Sequence, residues 1–183
     1  MNMYLVTGNS EKLEAARHAF DESVEIETID PELPEIQADS SLKVARHTVE
    51  QLIDDYDAPV IREDHSVYLN SFQGFPGPYM SYYDRNMPVE DLLKMLEGVE
   101  DRTGYFEIST VLGLPDGEIK EYSFQIPIEF VEEPRGDKGN WIQVMKLKGG
   151  EKTFAESDSS ERMDKWDRNF RKIADDLEEL NRG

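Results

Sequence analysis

Met3-Tyr4-Leu5-Val6-Thr7-Gly8-Asn9-Ser10-Glu11-Lys12-Leu13-Glu14-Ala15-Ala16 is the stretch that decides the fold. Met3 to Thr7 is a short apolar run, and Gly8-Asn9 ends it. Ser10 suits an N-cap, because Leu13, Ala16 and Phe20 follow it at helical spacing. The stretch therefore reads as strand, tight turn, helix. Working outward, Val24 to Ile29 alternates apolar and polar residues as a second strand, which Asp30-Pro31 and Leu33-Pro34 break. Ser40 or Ser41 caps a helix to about Tyr56, with Val44, Ala45, Thr48, Val49, Leu52 and Ile53 inward. Ala58 to Ile61 is the next strand. This alternation of strand and helix predicts an α/β sheet that is at least partly parallel.

The second half changes texture. Val67 to Leu69 is a strand fragment. Gln73 to Tyr79 cannot be helix or central strand, because its prolines lack donors and its glycines permit unusual φ. Val89 to Leu96 is a short amphipathic helix stopped by Gly98. Tyr105–Leu114 and Ile119–Ile126 flank the turn signal Pro115-Asp116-Gly117 and read as a hairpin. Trp141 to Leu147 reads as a further strand. Ser159-Ser160 opens a last helix striped by Met163, Trp166, Phe170, Ile173, Ala174, Leu177 and Leu180. No repeat or long linker divides the chain, so residues 1–183 read as one domain.

Composition limits the chemistry. The chain has 40 Asp and Glu against 20 Lys and Arg, a formal net charge of −20, and no cysteine. Disulfides, thiolate nucleophiles and thiolate metal sites are excluded together. So negative a body repels nucleic acid and anionic membranes. No apolar run approaches the ~20 residues of a membrane span, and no secretory pattern opens the sequence, so a cytoplasmic protein is expected. The acid excess reads as the solubility bias of a halophilic cytoplasm, with a specific acidic interaction surface as the other reading.

Three groups of residues could carry function. Thr7-Gly8-Asn9 and Lys12 lie where a strand hands over to a helix, and the exposed N–H groups, helix dipole and ammonium there suit an anion. An ordinary turn has the same form. Glu35 lies in the loop Leu33 to Gln37, and Glu63-Asp64 follows the strand Val60-Ile61. Carboxylates at strand ends can hold Mg²⁺, although a chain this acidic offers many such groups. His18, His47 and His65 show no zinc spacing, and no serine elbow is present.

In order, these pieces resemble the inosine triphosphate pyrophosphatase family. TGNSEKLEAA (Thr7 to Ala16) is similar to its T-G-N-x-x-K start, and LPEIQ (Leu33 to Gln37) to its L-P-E-x-Q loop. EDHSVYLNSFQGFPGPYMSYY (Glu63 to Tyr83) resembles its E/D-D-S/T-G segment with the following G-x-P-G-x-Y. TFAE (Thr153 to Glu156) resembles its T-F/Y-A-E motif. The resemblance implies an elongated twisted mixed sheet with helices on both faces and two lobes around a central cleft. It implies Mg²⁺-dependent hydrolysis of a nucleoside triphosphate to monophosphate and pyrophosphate, by a homodimer. Thr7, Asn9 and Lys12 would hold the triphosphate. Glu35 and Asp64 would engage Mg²⁺, and Asp64 would activate the attacking water.

The departures lie at the base-reading positions. Where the family has G-F-G-Y/W-D-P, the chain has Gly139-Asn140-Trp141-Ile142-Gln143-Val144. Where the family has K-N-x-x-S-H-R, it has Arg162 to Arg168, with Asp167 in the His place. Of the residues that the resemblance implies for reading the base, Trp141 and Arg168 would remain. If Asp167 faces the pocket, its carboxylate accepts where the family's His donates, which would alter or relax base selection. The alternative is a relative that has lost catalysis and binds a nucleotide or a partner.

Overall fold

Apolar residues on both faces of one short strand explain the centre of the first half. In the computed structural model, which describes residues 1–34 and 36–182, β1 (Asn2–Val6) buries Met3 and Leu5 on one face and Val6 on the other. Such a strand needs cover on both sides. It pairs in parallel with β2 (Glu25–Ile29) from Asn2↔Glu25 to Val6↔Ile29, and with β3 (Val60–Leu69) from Tyr4↔Val60 to Val6↔Arg62. The sheet runs β2-β1-β3-β5-β6-β7, where β5 is Thr103–Gly113, β6 is Ile119–Phe130 and β7 is Met145–Leu147. β4 (Pro76–Gly77) pairs antiparallel with β3 off that path. The mixed α/β sheet expected from the sequence is present.

The chain divides into two compact units. The first comprises Met1–Asp64, Ile108–Phe124 and the chain from Arg162 onward; the second comprises His65–Glu107 and Gln125–Glu161. In the first unit, α1 (Ser10–Ala19) and α6 (Arg168–Arg182) cover one face of the sheet, where Met3, Leu5, Ala16, Ile61, Phe170 and Ile173 share a core. On the other side, Ala45 and Val49 of α2 (Ser41–Leu52) pack with Val111 of β5. Gly113 permits that approach. A Cβ there would stand 2.6 Å from Val49 Cγ1 and 2.8 Å from Ile53 Cδ1.

In the second unit, the Gly74–Gly77 turn folds onto Tyr68. Cβ atoms at those two glycines would meet the Tyr68 ring at 3.3 and 3.2 Å, and both residues have positive φ. Two short helices follow, α3 (Met80–Asn86) and α4 (Val89–Met95), the latter ended near Gly98 at φ +73°. β7 completes the unit against β6, from Ile128↔Leu147 to Phe130↔Met145.

Three expectations need correction, and one helix was not foreseen. β3 is one continuous strand, so Glu63 and Asp64 lie inside it and not after it. The segment from Trp141 to Gln143 is a 3₁₀ turn, and the strand begins only at Met145. The helix α3 carries no apolar stripe strong enough to be seen in advance: none of its residues is buried. The last helix is broken: a 3₁₀ turn at Ser159–Arg162 leads to α5 (Met163–Trp166), and Asp167 separates α5 from α6. Among the described residues, no helix is long and apolar enough to cross a membrane.

Candidate active site

The loop after β1 is organised by its own side chains. Thr7 is buried; its N–H donates to Ile29 O at 3.0 Å and its Oγ1 accepts from Asn9 N at 3.0 Å. Asn9 Oδ1 accepts from Glu11 N at 2.8 Å, so Asn9, and not Ser10, caps α1. Ser10 is the first helical residue instead. The amide of Asn9 spans the distance to the second helical N–H and satisfies one of the helix's orphan donors. Gly8 packs against Asp30, whose Oδ2 would lie 3.1 Å from a Cβ at that position.

Lys12 links this loop to β3. Its Nζ donates to Glu63 O at 2.7 Å, the carbonyl of the peptide that joins Glu63 to Asp64. The two acids then diverge, because successive strand residues face opposite sides. Glu63 is buried and accepts from Thr110 Oγ1 at 3.1 Å, while Asp64 is half-buried. Glu35 lies outside the described residues.

Two of the three positions that the resemblance assigns to base reading, Trp141 and Asp167, are engaged in internal contacts. Trp141 is fully buried in the second unit: its backbone N donates to Asp84 Oδ1 at 2.9 Å and its Nε1 to Met87 O at 2.9 Å. Neighbouring Asn140 donates to Asp84 O and Met87 O and accepts from Val89 N, so the pair clasps the link between α3 and α4. In the first unit, Asp167 is also fully buried. Its Oδ2 pairs with His18 Nδ1 at 2.6 Å and its Oδ1 with Arg171 Nη2 at 2.5 Å. The hydrogen bond to Asp167 raises the Arg171 guanidinium above its ordinary range. The expected acceptor at Asp167 is therefore spent on α1 and α6 and is not displayed to a ligand. Arg168 is exposed, with its guanidinium carbon 5.0 Å from the centre of the Phe124 ring.

Sequence reading brought Thr7, Asn9, Lys12 and Asp64 toward one feature, and the structure joins the loop to β3 through the Lys12 contact. It missed Thr110, Asn169 and His18. Their signal was weak: a threonine inside a strand, an asparagine beside Arg168, and one scattered histidine.

Among the described residues, no three of His, Asp and Glu cluster as a cation cage. The donors expected from the sequence, Glu35 and Asp64, are oxygen ligands. Two carboxylates completed by phosphate oxygens and water suit Mg²⁺, which does not require an all-protein cage.

The comparisons with known proteins agree with this reading of the fold. A sequence model of the Ham1 family matches residues 3–175. A dITP/XTP pyrophosphatase from Ignicoccus hospitalis is 36% identical over 180 residues, covering 96% of this chain and 96% of that protein. Another from Thermococcus kodakarensis is 31% identical over 164 residues, covering 88% of each. Among solved structures, a HAM1 protein from Coxiella burnetii shares the fold, with a TM-score of 0.82 at 19% identity over 98% of this chain and 99% of that one. With a match that runs from β1 into α6, the chain belongs to the Ham1 family.

Proposed function

We propose that this chain hydrolyses nucleoside triphosphates to monophosphate and pyrophosphate with Mg²⁺; two of its relatives carry the name dITP/XTP pyrophosphatase, which supports the reaction class. The observation that carries the proposal is the Lys12 ammonium on the Glu63–Asp64 peptide. It sets a cation of the anion loop one residue from the proposed base, in a protein of net charge −20. Thr7, Asn9 and Lys12 hold the triphosphate, aided by the N-terminus of α1. Glu35 and Asp64 hold Mg²⁺, which supplies divalent charge against the phosphate oxygens. The Asp64 carboxylate takes a proton from water as its oxygen attacks the α-phosphorus. The bond from that phosphorus to the bridging oxygen breaks, and pyrophosphate leaves.

Base selection in this proposal is relaxed. The family's His donor is absent at Asp167, and Asp167 itself is buried away from any ligand. Arg168 remains as an exposed donor. With the His donor gone, selection falls mainly to shape, which reaches only about 10², so the kcat/KM ratio of dITP over dATP stays below about 10². The protein acts as a homodimer in a salty cytoplasm. The test is the purified chain with Mg²⁺ in molar KCl and a panel of dITP, XTP, dATP and dGTP. Equal yields of pyrophosphate and monophosphate support the proposal; orthophosphate as the sole product, or none, refutes it. Binding without turnover would favour the non-catalytic relative, a reading supported by the internal use of Trp141 and Asp167.

A further inference from the structure

Three buried polar side chains lie in series between α6 and β3, all within the first unit. Asn169 is 4% exposed, and its Nδ2 donates to Ile108 O at 3.1 Å and to Thr110 Oγ1 at 3.0 Å. Thr110 is fully buried, and its Oγ1 donates to Glu63 Oε2 at 3.1 Å. Glu63 is 1% exposed. The series has one direction. An amide nitrogen only donates, so the threonine hydroxyl accepts from it and must send its single proton onward to the carboxylate.

Such a series is costly in a sheet core, where apolar residues of similar shape would serve stability as well. Its ends explain its position. Glu63 is followed directly by Asp64, and Lys12 also docks on the Glu63 carbonyl. Asn169 is preceded directly by Arg168, whose other neighbour, Asp167, is held by His18 and Arg171. Arg168 thus projects outward between two anchored residues.

We infer that Asn169, Thr110 and Glu63 form a positioning relay that fixes Arg168 on α6 relative to Asp64 on β3. The inference rests on the proposed roles of those two residues. The relay does not touch substrate. It sets the register of two groups that do, and small displacements at reacting groups cost rate.

The test measures steady-state kinetics of the full chain with Mg²⁺ and dITP. Thr110→Val and Asn169→Leu should each lower kcat about 10- to 100-fold and raise KM, because both the base and the substrate contact move. A merely structural role would lower apparent kcat in proportion to the folded fraction at unchanged KM. Thr110→Ser keeps the hydroxyl and should stay within about threefold of wild type, and the double variant should lose no more than the worse single one. If Thr110→Val does not fold, Asn169→Ala carries the same expectation. Wild-type kcat and KM in the folded variants, loss in Thr110→Ser equal to that in Thr110→Val, or multiplying losses in the double variant would overturn the relay alone. If wild type binds a non-hydrolysable dITP analogue without cleaving dITP, the function fails, and the relay is read from Kd. Weakening of about tenfold in Thr110→Val but not Thr110→Ser supports it, and equal affinities overturn it. If wild type neither binds nor cleaves, both fall.

Discussion

The turn after β1 and two separate sites, Trp141 in the second unit and Asp167 in the first, make opposite uses of polar and aromatic side chains. At the first, Thr7 and Asn9 shape a helix N-terminus and Lys12 reaches the strand that carries Asp64. At the other two, Trp141 and Asp167, which the resemblance aligns with base-reading positions, serve as internal fasteners. Trp141 binds the α3–α4 link, and Asp167 ties α1 to α6. Under the proposed function, the difference means that the groups assigned to phosphate and those assigned to the base part company within one fold. Base contacts are free to change when the substrate range changes.

The strongest way to break this comparison is at Asp64. Asp64→Asn removes the proposed base and one metal ligand, and turnover should fall by about 10²–10⁴ while the melting temperature holds. Unchanged pyrophosphate release would mean that Asp64 is not the base of the reaction. Lys12→Met comes next. It removes a cation from the phosphate loop and should lower kcat/KM by about 10² for every base alike. A loss confined to one base would place Lys12 at the base instead.

Trp141→Phe tests the fastener directly. It deletes the Nε1 bond to Met87 O, which keeps its bond from Asn140 Nδ2, so a loss of about 0.5–1.5 kcal/mol is expected in urea denaturation. The dITP over dATP ratio should not move. A changed ratio at unchanged stability would return Trp141 to the substrate. Asp167→Asn sharpens the same point in the other unit. Breaking a buried ion pair costs about 3–5 kcal/mol, but His18 and Arg171 are half-exposed and an amide oxygen can still accept, so about 1–2 kcal/mol is expected. Base selectivity should again be constant.

The smallest effect concerns the whole surface. With 40 acids against 20 bases, repulsion disfavours the compact state in dilute buffer. The melting temperature should rise between low and molar KCl, as the screening length shrinks to about 3 Å. A flat response would show that local pairs, such as Arg46 with Glu50 and Glu121, already compensate the charge.

The sequence by itself determined the elements whose signal is local. The opening strand, turn and helix follow from an apolar run, a Gly-Asn stop and helical spacing. The Pro115 to Gly117 turn was equally legible, since Gly117 supplies the positive φ that a tight turn needs. Boundaries were less so. Glu63 and Asp64 look like strand terminators in composition, yet β3 continues through them, because Glu63 finds Thr110 and the Lys12 ammonium finds its carbonyl. Local propensity holds no record of those partners.

Only the tertiary structure decided what the polar residues do. Asp167 could have faced a base or a core, and the choice rests on His18, 149 residues away along the chain. Asn169 looks like an ordinary helix-surface residue until β5 places Thr110 against it. The physical reason is common to both. Backbone periodicity is set by neighbours in sequence, whereas a buried charge or amide is tolerated only where the fold brings a partner to hydrogen-bond distance, and that partner can come from anywhere in the chain.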